Sequence, residues 1–488
     1  MKTKITLLFT LLSFWFSTAN NINVSNISLE NFDSVNNWVQ VEFDLSWENS
    51  WRLSSGPSNW DAAWVFIKYR YDGGTWRHCS LSQVDNVAAA GSIVDVSADT
   101  YGAFVYRDVE GSGTNTFQDM RLRWDIGSIP DDAVIDVQVF AIEMVNIPQG
   151  TFSVGGKSGD EQNKFHRGSS SNFEFFVTSE AEITVTNSGT TNLYYTSDNG
   201  GGGDHLGPVP AAFKKGFDAF YIMKYEVSEA QWVAYFNLLT EVQKVNRDLT
   251  DATHKNSDNA VSRNTISWTG GSNNATTTAP DRAVSYISPA DMNSYLDWSA
   301  LRPMTELEFE KASRGPIAVH QGEFAWGNDN IATSDYTLSF SGQTNEIINN
   351  LDPLTGNASY LTTDASINGP LRCGIFAASA INKSREETGG SYYGVMELSG
   401  NLYERCVSVG NPVGRSFTGN HGNGVISYSG SGTASLWPNS TTGNGYGFRG
   451  GSWLNSENFL RISDRFDAAT DIATGNSRLG LRGARTAQ

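Results

Sequence analysis

Apolar and polar side chains alternate over much of the first third of the chain, which is the period of a β-strand with one buried and one solvated face. The alternation is clearest in residues 39–47 and recurs in residues 135–141. A nearly continuous apolar run at 64–69 is followed by the turn sequence DGG at 72–74, which is typical of a hairpin. Short strands separated by turns predict an antiparallel β-sandwich for residues 20–138.

From residue 144 onward the pattern changes to helix-start signals set between long polar loops. Three hydroxyl residues are each followed, three positions later, by a side chain that can return a hydrogen bond, as in a capping box. These pairs are Ser228 with Gln231, Ser288 with Asp291 and Thr305 with Glu308, and apolar residues at helical spacing follow each pair. We predict three helices at these positions and an α+β fold for the whole chain.

The first residues have the layout of a secretory signal peptide. A basic start, MKTK, precedes an apolar run at 5–16 and small residues at 17–19. The run is too short to span a bilayer, which needs about 20 apolar residues, and no later segment is long and apolar enough. We therefore predict a cleaved signal at residues 1–19, no membrane span, and a protein that is secreted or held at the cell surface.

Charge and cysteine content narrow the function further. The net charge of −18 argues against nucleic acid as a partner, because phosphate binding needs a basic face. The chain has three cysteines, Cys79, Cys373 and Cys406. Two interpretations stay open: a disulfide between Cys373 and Cys406, as an oxidising compartment allows, or three buried thiols that act as small apolar side chains.

The second part of the chain contains eight segments, in order, that resemble one family. They are MVNIPQGTFSVGG (144–156), AFYIMKYEVSEAQWVAYF (219–236), AVSYISPADMNSYLDW (283–298), LRPMTELEFEKASRG (301–315), FAWGN (324–328), YYGVMELSGNLYER (392–405), FRGGSW (448–453) and GLRGAR (480–485). Together they resemble the formylglycine-generating enzyme, or sulfatase-modifying factor, family over residues 144–485, with unlike insertions near 157–212 and 330–390. The resemblance implies a loop-rich variant of the C-type lectin fold, which we assign to residues 139–488.

Enzymes of that family use molecular oxygen and a copper ion held by two cysteines to convert a sulfatase cysteine to formylglycine. Soft thiolate ligands are needed because they select Cu(I). The resemblance places the two cysteine positions on Asn455 and Leu460, and the chain has no cysteine after Cys406. The sequence therefore predicts a scaffold that has lost its copper ligands, so that copper is not expected as a cofactor.

The resemblance also implies a calcium site in the segment ELSGNLYE. Its side-chain ligands would be Glu397 and Glu404, and its backbone carbonyl ligands would be Gly400 and Leu402. Hard oxygen ligands on a loop suit Ca²⁺, which tolerates irregular geometry. The structural alternative is that Glu404 pairs with Arg405 or caps a turn.

Candidate residues for a ligand pocket lie in GFRGGSWLNSENFLRISDR (447–465), which we interpret as a strand beside the family's site. They are Ser452, Trp453, Asn455, Arg461 and Arg465. The two arginines could hold a ligand carboxylate. The alternative is that they form structural ion pairs, for which the flanking Asp464 and Asp467 are available.

These features favour a secreted, non-catalytic member of the sulfatase-modifying factor family. Its role would be extracellular binding or cell-surface structure, with an extracellular protein or polysaccharide as the partner. One alternative is an extracellular oxidoreductase, or another enzyme of the family, that uses a site we do not recognise. The other alternative is a subunit of an extracellular filament or surface layer, which would be a homo-oligomer.

Overall fold

The structure is a computed structural model that describes residues 22–130, 132–161, 163–196 and 201–487. The predicted signal peptide, residues 1–19, lies outside the described residues. The alternating segments of the first third form strands, whose bounds are β1 (Asn23–Asp33), β2 (Trp38–Arg52), β3 (Asp61–Tyr71), β4 (Arg77–His78), β5 (Ser92–Val96), β6 (Ala103–Arg107), β7 (Gly111–Asp125) and β8 (Ile135–Ile147).

The period-2 pattern of these strands builds a core between two sheets. One sheet has the order β1-β2-β7, and the other contains β8-β3-β6-β5, with β4 paired to β3. Val41 and Phe43 of β2 and Val65 and Ile67 of β3 are all fully buried in the same apolar cluster. The turn at 72–74 joins β3 to β4, whose pairing places Lys68 opposite His78, as the hairpin signal predicts.

The larger sheet does not end with the first third of the chain. Its full order is β14-β19-β13-β8-β3-β6-β5, and the added strands are β13 (Phe220–Met223), β14 (Arg302–Pro303) and β19 (Gly483–Thr486). The predicted boundary at residue 138 falls inside β8, which pairs with β3 on one side and β13 on the other. One sheet is therefore shared by the two parts of the chain.

Capping boxes start the helices at the predicted places. Ser228, Ser288 and Thr305 are the N-caps, and each side chain accepts a hydrogen bond from the backbone N–H three residues later. A further box, Thr240 with Gln243, starts a helix that we did not predict. The helices are α1 (Glu229–Asn237), α2 (Glu241–Asn246), α3 (Pro289–Trp298), α4 (Glu306–Arg314), α5 (Ile375–Ser379) and α6 (Pro412–Arg415).

Short two-stranded pairings complete a fold that is mixed, rich in strands and poor in helix, which agrees with the α+β prediction. They join β9 (Phe152–Val154) to β11 (Phe175–Val177), β10 (Phe165–Arg167) to β12 (Leu193–Tyr195), β15 (Leu338–Ser339) to β16 (Ile347–Ile348) and β17 (Glu404–Val407) to β18 (Tyr446–Arg449). Within the described ranges, the structure has no helix with the length and apolar character that a bilayer span requires.

Buried polar contacts fasten the first third of the chain to the rest. Lys68 lies on the face of β3 opposite Val65 and Ile67, and its Nζ donates to the carbonyls of Trp298 and Gly424 at 2.6 and 2.8 Å. The Trp64 indole N–H donates to the Ser299 carbonyl at 2.9 Å. Because such groups are costly to leave unpaired, these contacts hold the sheet against α3.

Candidate functional site

The hairpin of β17 and β18 leads into the segment that we expected to be a strand throughout. The strand ends at Arg449, and Gly450 and Gly451 follow with φ of 82° and 69°. A side chain at Gly450 would also meet the Leu398 carbonyl oxygen at 2.8 Å, so only glycine fits the turn. The expectation of a strand over residues 447–465 is therefore wrong beyond Arg449, and a 3₁₀ turn forms at Glu457–Leu460.

Asn455, the first implied copper position, belongs to a chain of buried hydrogen bonds. The Ser452 hydroxyl donates to Asn455 Oδ1 at 2.5 Å, and Asn455 Nδ2 donates to the Tyr403 hydroxyl at 3.1 Å. Tyr403 in turn donates to Asp467 Oδ2 at 3.0 Å. The amide is thus engaged at both its oxygen and its nitrogen by protein groups. Tyr403 and Asp467 were not among the predicted site residues.

Leu460, the second implied copper position, is a core residue. It is fully buried and packs in an apolar cluster with Phe324, Trp326 and Tyr360. An alkyl chain offers no ligand atom to a metal. Neither implied position therefore fits copper, and we derive no step through that metal.

The three cysteines do not replace the missing pair. All of them are buried and unpaired, so the disulfide considered for Cys373 and Cys406 is not formed, and the interpretation as buried thiols agrees with the structure. Cys373 shares an apolar cluster with Trp453, but Cys406 and Cys79 belong to other clusters. Burial raises the pKa of the Cys373 thiol well above its usual value, which disfavours the thiolate that binds metal.

The two arginines form structural ion pairs, but with partners other than those predicted. Arg465 is fully buried and contacts both oxygens of Glu306, at 2.7 and 3.0 Å, while Arg461 donates to Glu161 at 2.7 Å. The predicted partners Asp464 and Asp467 instead accept from Asn163 and Tyr403. The predicted partners were wrong because the segment bends after Gly451 and does not continue as a strand.

The structure places four of the five predicted pocket residues in the interior, whereas Arg461 is partly exposed. Ser452 and Asn455 bond to each other, whereas the indole N–H of Trp453 donates to the Ser477 carbonyl at 2.8 Å. Ser452, Trp453 and Asn455 are all buried. In this structure the predicted polar pocket residues of the segment bond to protein groups, and Trp453 and Leu460 pack in apolar clusters.

The two implied side-chain ligands for calcium, Glu397 and Glu404, lie in a group that we call the acid cluster, whose other members are Glu226 and Arg482. All four side chains are buried. Arg482 donates to Glu404 Oε1 at 2.6 Å, and the Gly374 N–H donates to Glu397 Oε1 at 2.9 Å. Glu404 does form an ion pair, as the structural alternative holds, but the predicted partner Arg405 is wrong, because the partner is Arg482 on a distant segment.

Glu226 was missed by the sequence analysis. Its carboxylate accepts from the Leu402 N–H at 2.9 Å and from the Asn401 amide, so it braces the segment that carries the implied calcium ligands. The only sequence signal was an acidic residue two positions before the Ser228 cap, at the end of the apolar stretch FYIMKYEV. Nothing in that local pattern indicates a contact with residues 401 and 402.

The acid cluster carries more negative than positive charge. Three carboxylates face one guanidinium, and Glu397 Oε2 and Glu404 Oε2 are buried without a hydrogen-bond partner among the described residues. Burial raises the pKa of Glu397 to about 7, and burial, together with the neighbouring carboxylates, raises the pKa of Glu226 well above its usual value. A divalent cation would offset this excess, so the donor set fits Ca²⁺.

The cation would use few side-chain ligands. Within the described parts of the chain, no group of three or more His, Cys, Asp or Glu side chains is arranged to hold a metal ion. The unpartnered oxygens of Glu397 and Glu404 would therefore need backbone carbonyls, such as those of Gly400 and Leu402, to complete the site. Glu397 and Asn401 have φ of 54° and 61°, and these left-handed residues bend the loop between the two glutamates.

Comparison with known proteins agrees with the eight segments that carry the resemblance. The family model described as sulfatase-modifying factor enzyme 1-like domain matches residues 136–487. A search of curated proteins gives no match to the chain. Because the family model covers most of the chain, from β8 to β19, this protein belongs to the formylglycine-generating enzyme, or sulfatase-modifying factor, family.

Proposed function

We propose that this chain is a secreted family member that does not perform the family's copper chemistry and serves extracellular binding or cell-surface structure. The observation that carries the proposal is the fate of the two implied copper positions. One is an amide engaged in a hydrogen-bond chain with Ser452 and Tyr403, and the other is a leucine within an apolar cluster. A bound copper ion would have to displace packed protein groups and would find no thiolate there.

The scaffold around the two implied copper positions is closely packed in this chain. Arg465 ties the segment to α4 through Glu306, and the β17–β18 hairpin pairs Glu404 with Arg449. A closely packed fold of this kind offers a fixed surface, which supports a role in binding a partner. We assign that partner to extracellular proteins or polysaccharides, in keeping with the signal-like residues 1–19 and the acidic charge of the chain.

Calcium is the cofactor that this proposal retains. The unpartnered oxygens of Glu397 and Glu404 would bind it, together with the carbonyls of Gly400 and Leu402. A bound Ca²⁺ would neutralise the acid cluster and fix the loop that carries these residues. Its role would be structural, since extracellular calcium is abundant enough to fill sites of modest affinity.

A copper titration tests the central claim. The mature chain is titrated with Cu(I) against a competing chelator, and oxygen uptake is followed with a cysteine-containing peptide present. The matched variant Asn455→Cys with Leu460→Cys restores thiols at both implied positions. We expect tight Cu(I) binding in the double variant and none in the natural chain.

Two results would contradict the proposal. Stoichiometric Cu(I) binding by the natural chain, with oxygen-dependent oxidation of the peptide thiol, would mean that other ligands perform the family's reaction. Retention of the chain in the cytoplasm, with residues 1–19 still attached in N-terminal sequencing, would contradict the extracellular role.

A further inference from the structure

A cleft lies in the first inserted segment, and none of the five predicted pocket residues of the family's site lines it. It encloses about 410 Å³, which is within the range of small-molecule sites. Its lining combines apolar, hydroxyl and charged groups, and the residues used below are Arg167, Phe176, Thr178, Glu182, Thr184 and Thr190. The pairing of β9 with β11 builds its floor, because Phe175 and Val177 point into the core while Phe176, between them, points outward.

The cleft is preformed, since its walls are fastened to the body of the protein. Glu180 accepts from the backbone N–H groups of Lys215 and Asp218 at 2.8 and 3.1 Å. Ile183 pairs with Val209, and the Leu193 N–H donates to the Thr184 carbonyl at 3.0 Å. A ligand would therefore meet an ordered surface and would not have to order it, which favours binding.

The polar groups of the cleft have unused hydrogen-bonding capacity. The hydroxyls of Thr178, Thr184 and Thr190 have no protein partner within the described ranges, and all three residues are exposed. Each hydroxyl can both donate and accept. The charged side chains Arg167 and Glu182 line the same cleft without an ion-pair partner in the described part of the chain, and their charges cancel.

We propose that this cleft binds the terminal unit of a neutral saccharide. Phe176 is 47% exposed, and its ring offers an apolar surface for the C–H face of a sugar. The threonine hydroxyls suit the alternating donors and acceptors of sugar hydroxyls, and Arg167 and Glu182 add charge-assisted hydrogen bonds of opposite polarity. A phosphate or an acidic sugar fits less well, because Glu182 offsets Arg167.

This inference rests on the proposed binding role and names its ligand class. The two fail separately, because copper chemistry at the family's site would leave a sugar cleft in the insertion unaffected. Conversely, a cleft that binds no saccharide would not affect the conclusion that the copper ligands are absent. The saccharide experiment below therefore tests the cleft alone, and the copper titration tests the family's site alone.

The test measures saccharide binding by the mature chain with calorimetry and ligand-observed NMR. The probes are glucose, galactose, mannose and N-acetylglucosamine with their linear oligosaccharides, and polygalacturonate serves as the anionic probe. We expect a dissociation constant of about 1 mM or below for at least one neutral probe. Phe176→Ala should weaken binding about tenfold, and Thr184→Val, which keeps the side-chain shape, should weaken it about threefold.

The matched control is Phe340→Ala, which removes an equally exposed ring, 50% accessible, from the second inserted segment. We expect this variant to bind as the natural chain does. The proposal is overturned if no neutral probe binds, if only polygalacturonate binds, or if Phe176→Ala and Phe340→Ala have the same effect. Because Phe176 is exposed, its replacement should leave the melting temperature unchanged, so a loss of binding can be assigned to the cleft.

Discussion

Two buried clusters of charge in the second part of the chain differ in their composition. The first, which we call the ion-pair chain, alternates three arginines with three glutamates in the order Arg465, Glu306, Arg449, Glu310, Arg314 and Glu323. The second is the acid cluster, in which three glutamates meet a single arginine. Both are shielded from solvent, so each charge without a partner carries a high desolvation cost.

The difference shows in the hydrogen bonds of the carboxylates. Both oxygens of Glu306 and of Glu310 have donors, which include the backbone N–H groups of Val409 and Gly155. By contrast, Glu397 and Glu404 each have one oxygen without a partner in the described part of the chain. The ion-pair chain is balanced by the protein alone, whereas the acid cluster needs protons or a cation. A buried cluster whose charges cancel is therefore interpreted as structural, and one with excess negative charge is interpreted as a candidate metal site.

The largest effect should come from breaking the ion-pair chain at Glu306. Glu306→Gln keeps the side-chain shape but leaves Arg449 and Arg465 without the carboxylate that they share at 3.1 and 2.7 Å. We expect the free energy of unfolding to fall by about 3–5 kcal/mol, the usual cost of a buried charge left without its partner. Urea denaturation of the natural protein and of the variant measures this difference. A loss below about 1 kcal/mol would mean that the ion-pair chain contributes little to stability.

The next largest change in the free energy of unfolding should come from calcium binding at the acid cluster. At a free concentration about 100 times the dissociation constant, Ca²⁺ should raise the free energy of unfolding by about 3 kcal/mol, and a chelator should reverse this. Thermal unfolding and calorimetry measure the effect. Glu404→Gln should remove most of it, because one unpartnered oxygen is lost.

The control for calcium is the ion-pair chain itself. Glu323→Gln alters a carboxylate of that chain, which pairs with Arg314, and should leave the calcium response intact. Magnesium should stabilise less than calcium, since an irregular loop is a poor match for octahedral coordination. An unchanged melting temperature of the natural chain in calcium would show that the acid cluster is balanced by protons.

The elements themselves could be predicted because their signals are local. The alternation in residues 39–47 and the capping boxes at Ser228, Ser288 and Thr305 depend on neighbours within a few positions, and the structure confirms them. The helix starting after Thr240 carries the same local signal, and the sequence analysis overlooked it.

The charge partners could not be predicted because they are distant in sequence. Arg465 meets Glu306 from 159 positions away, although Asp464 is its neighbour. Glu226 reaches Leu402 across 176 positions. Which acid pairs with which base depends on how the loops pack, and only the family resemblance pointed to Glu397 and Glu404.

A third cluster, around His254, is intermediate in charge balance. It is balanced only when His254 is protonated, so its net charge depends on pH. Burial lowers the pKa of His254, but hydrogen bonds to Asp291 and Asp251, at 2.8 and 2.9 Å, outweigh burial and raise the pKa to about 9. Arg247 is the second cation, at 3.0 Å from Asp291. With His254 protonated, two cations face two carboxylates.

This cluster should lose stability as the pH rises. A histidine whose folded-state pKa is raised contributes fully below its usual pKa of about 6.5, and the contribution disappears as the pH passes about 9. We expect the free energy of unfolding to fall by about 2 kcal/mol between these values, and His254→Gln should abolish that part of the slope. Urea denaturation at a series of pH values measures it. Parallel slopes for both chains would contradict the assignment.

The smallest effect should come from an ion pair of similar geometry at the surface. Arg121 Nε contacts Glu42 Oε2 at 2.5 Å, but the side chains are 33% and 20% exposed, on strands β7 and β2. Water competes for both groups and salt screens them, so Glu42→Gln should lower the free energy of unfolding by less than about 1 kcal/mol. Urea denaturation at low and high salt measures the loss, which should shrink at high salt. If Glu42→Gln lowered the free energy of unfolding as much as Glu306→Gln, burial could not be the reason that unbalanced charge is costly in the ion-pair chain and the acid cluster.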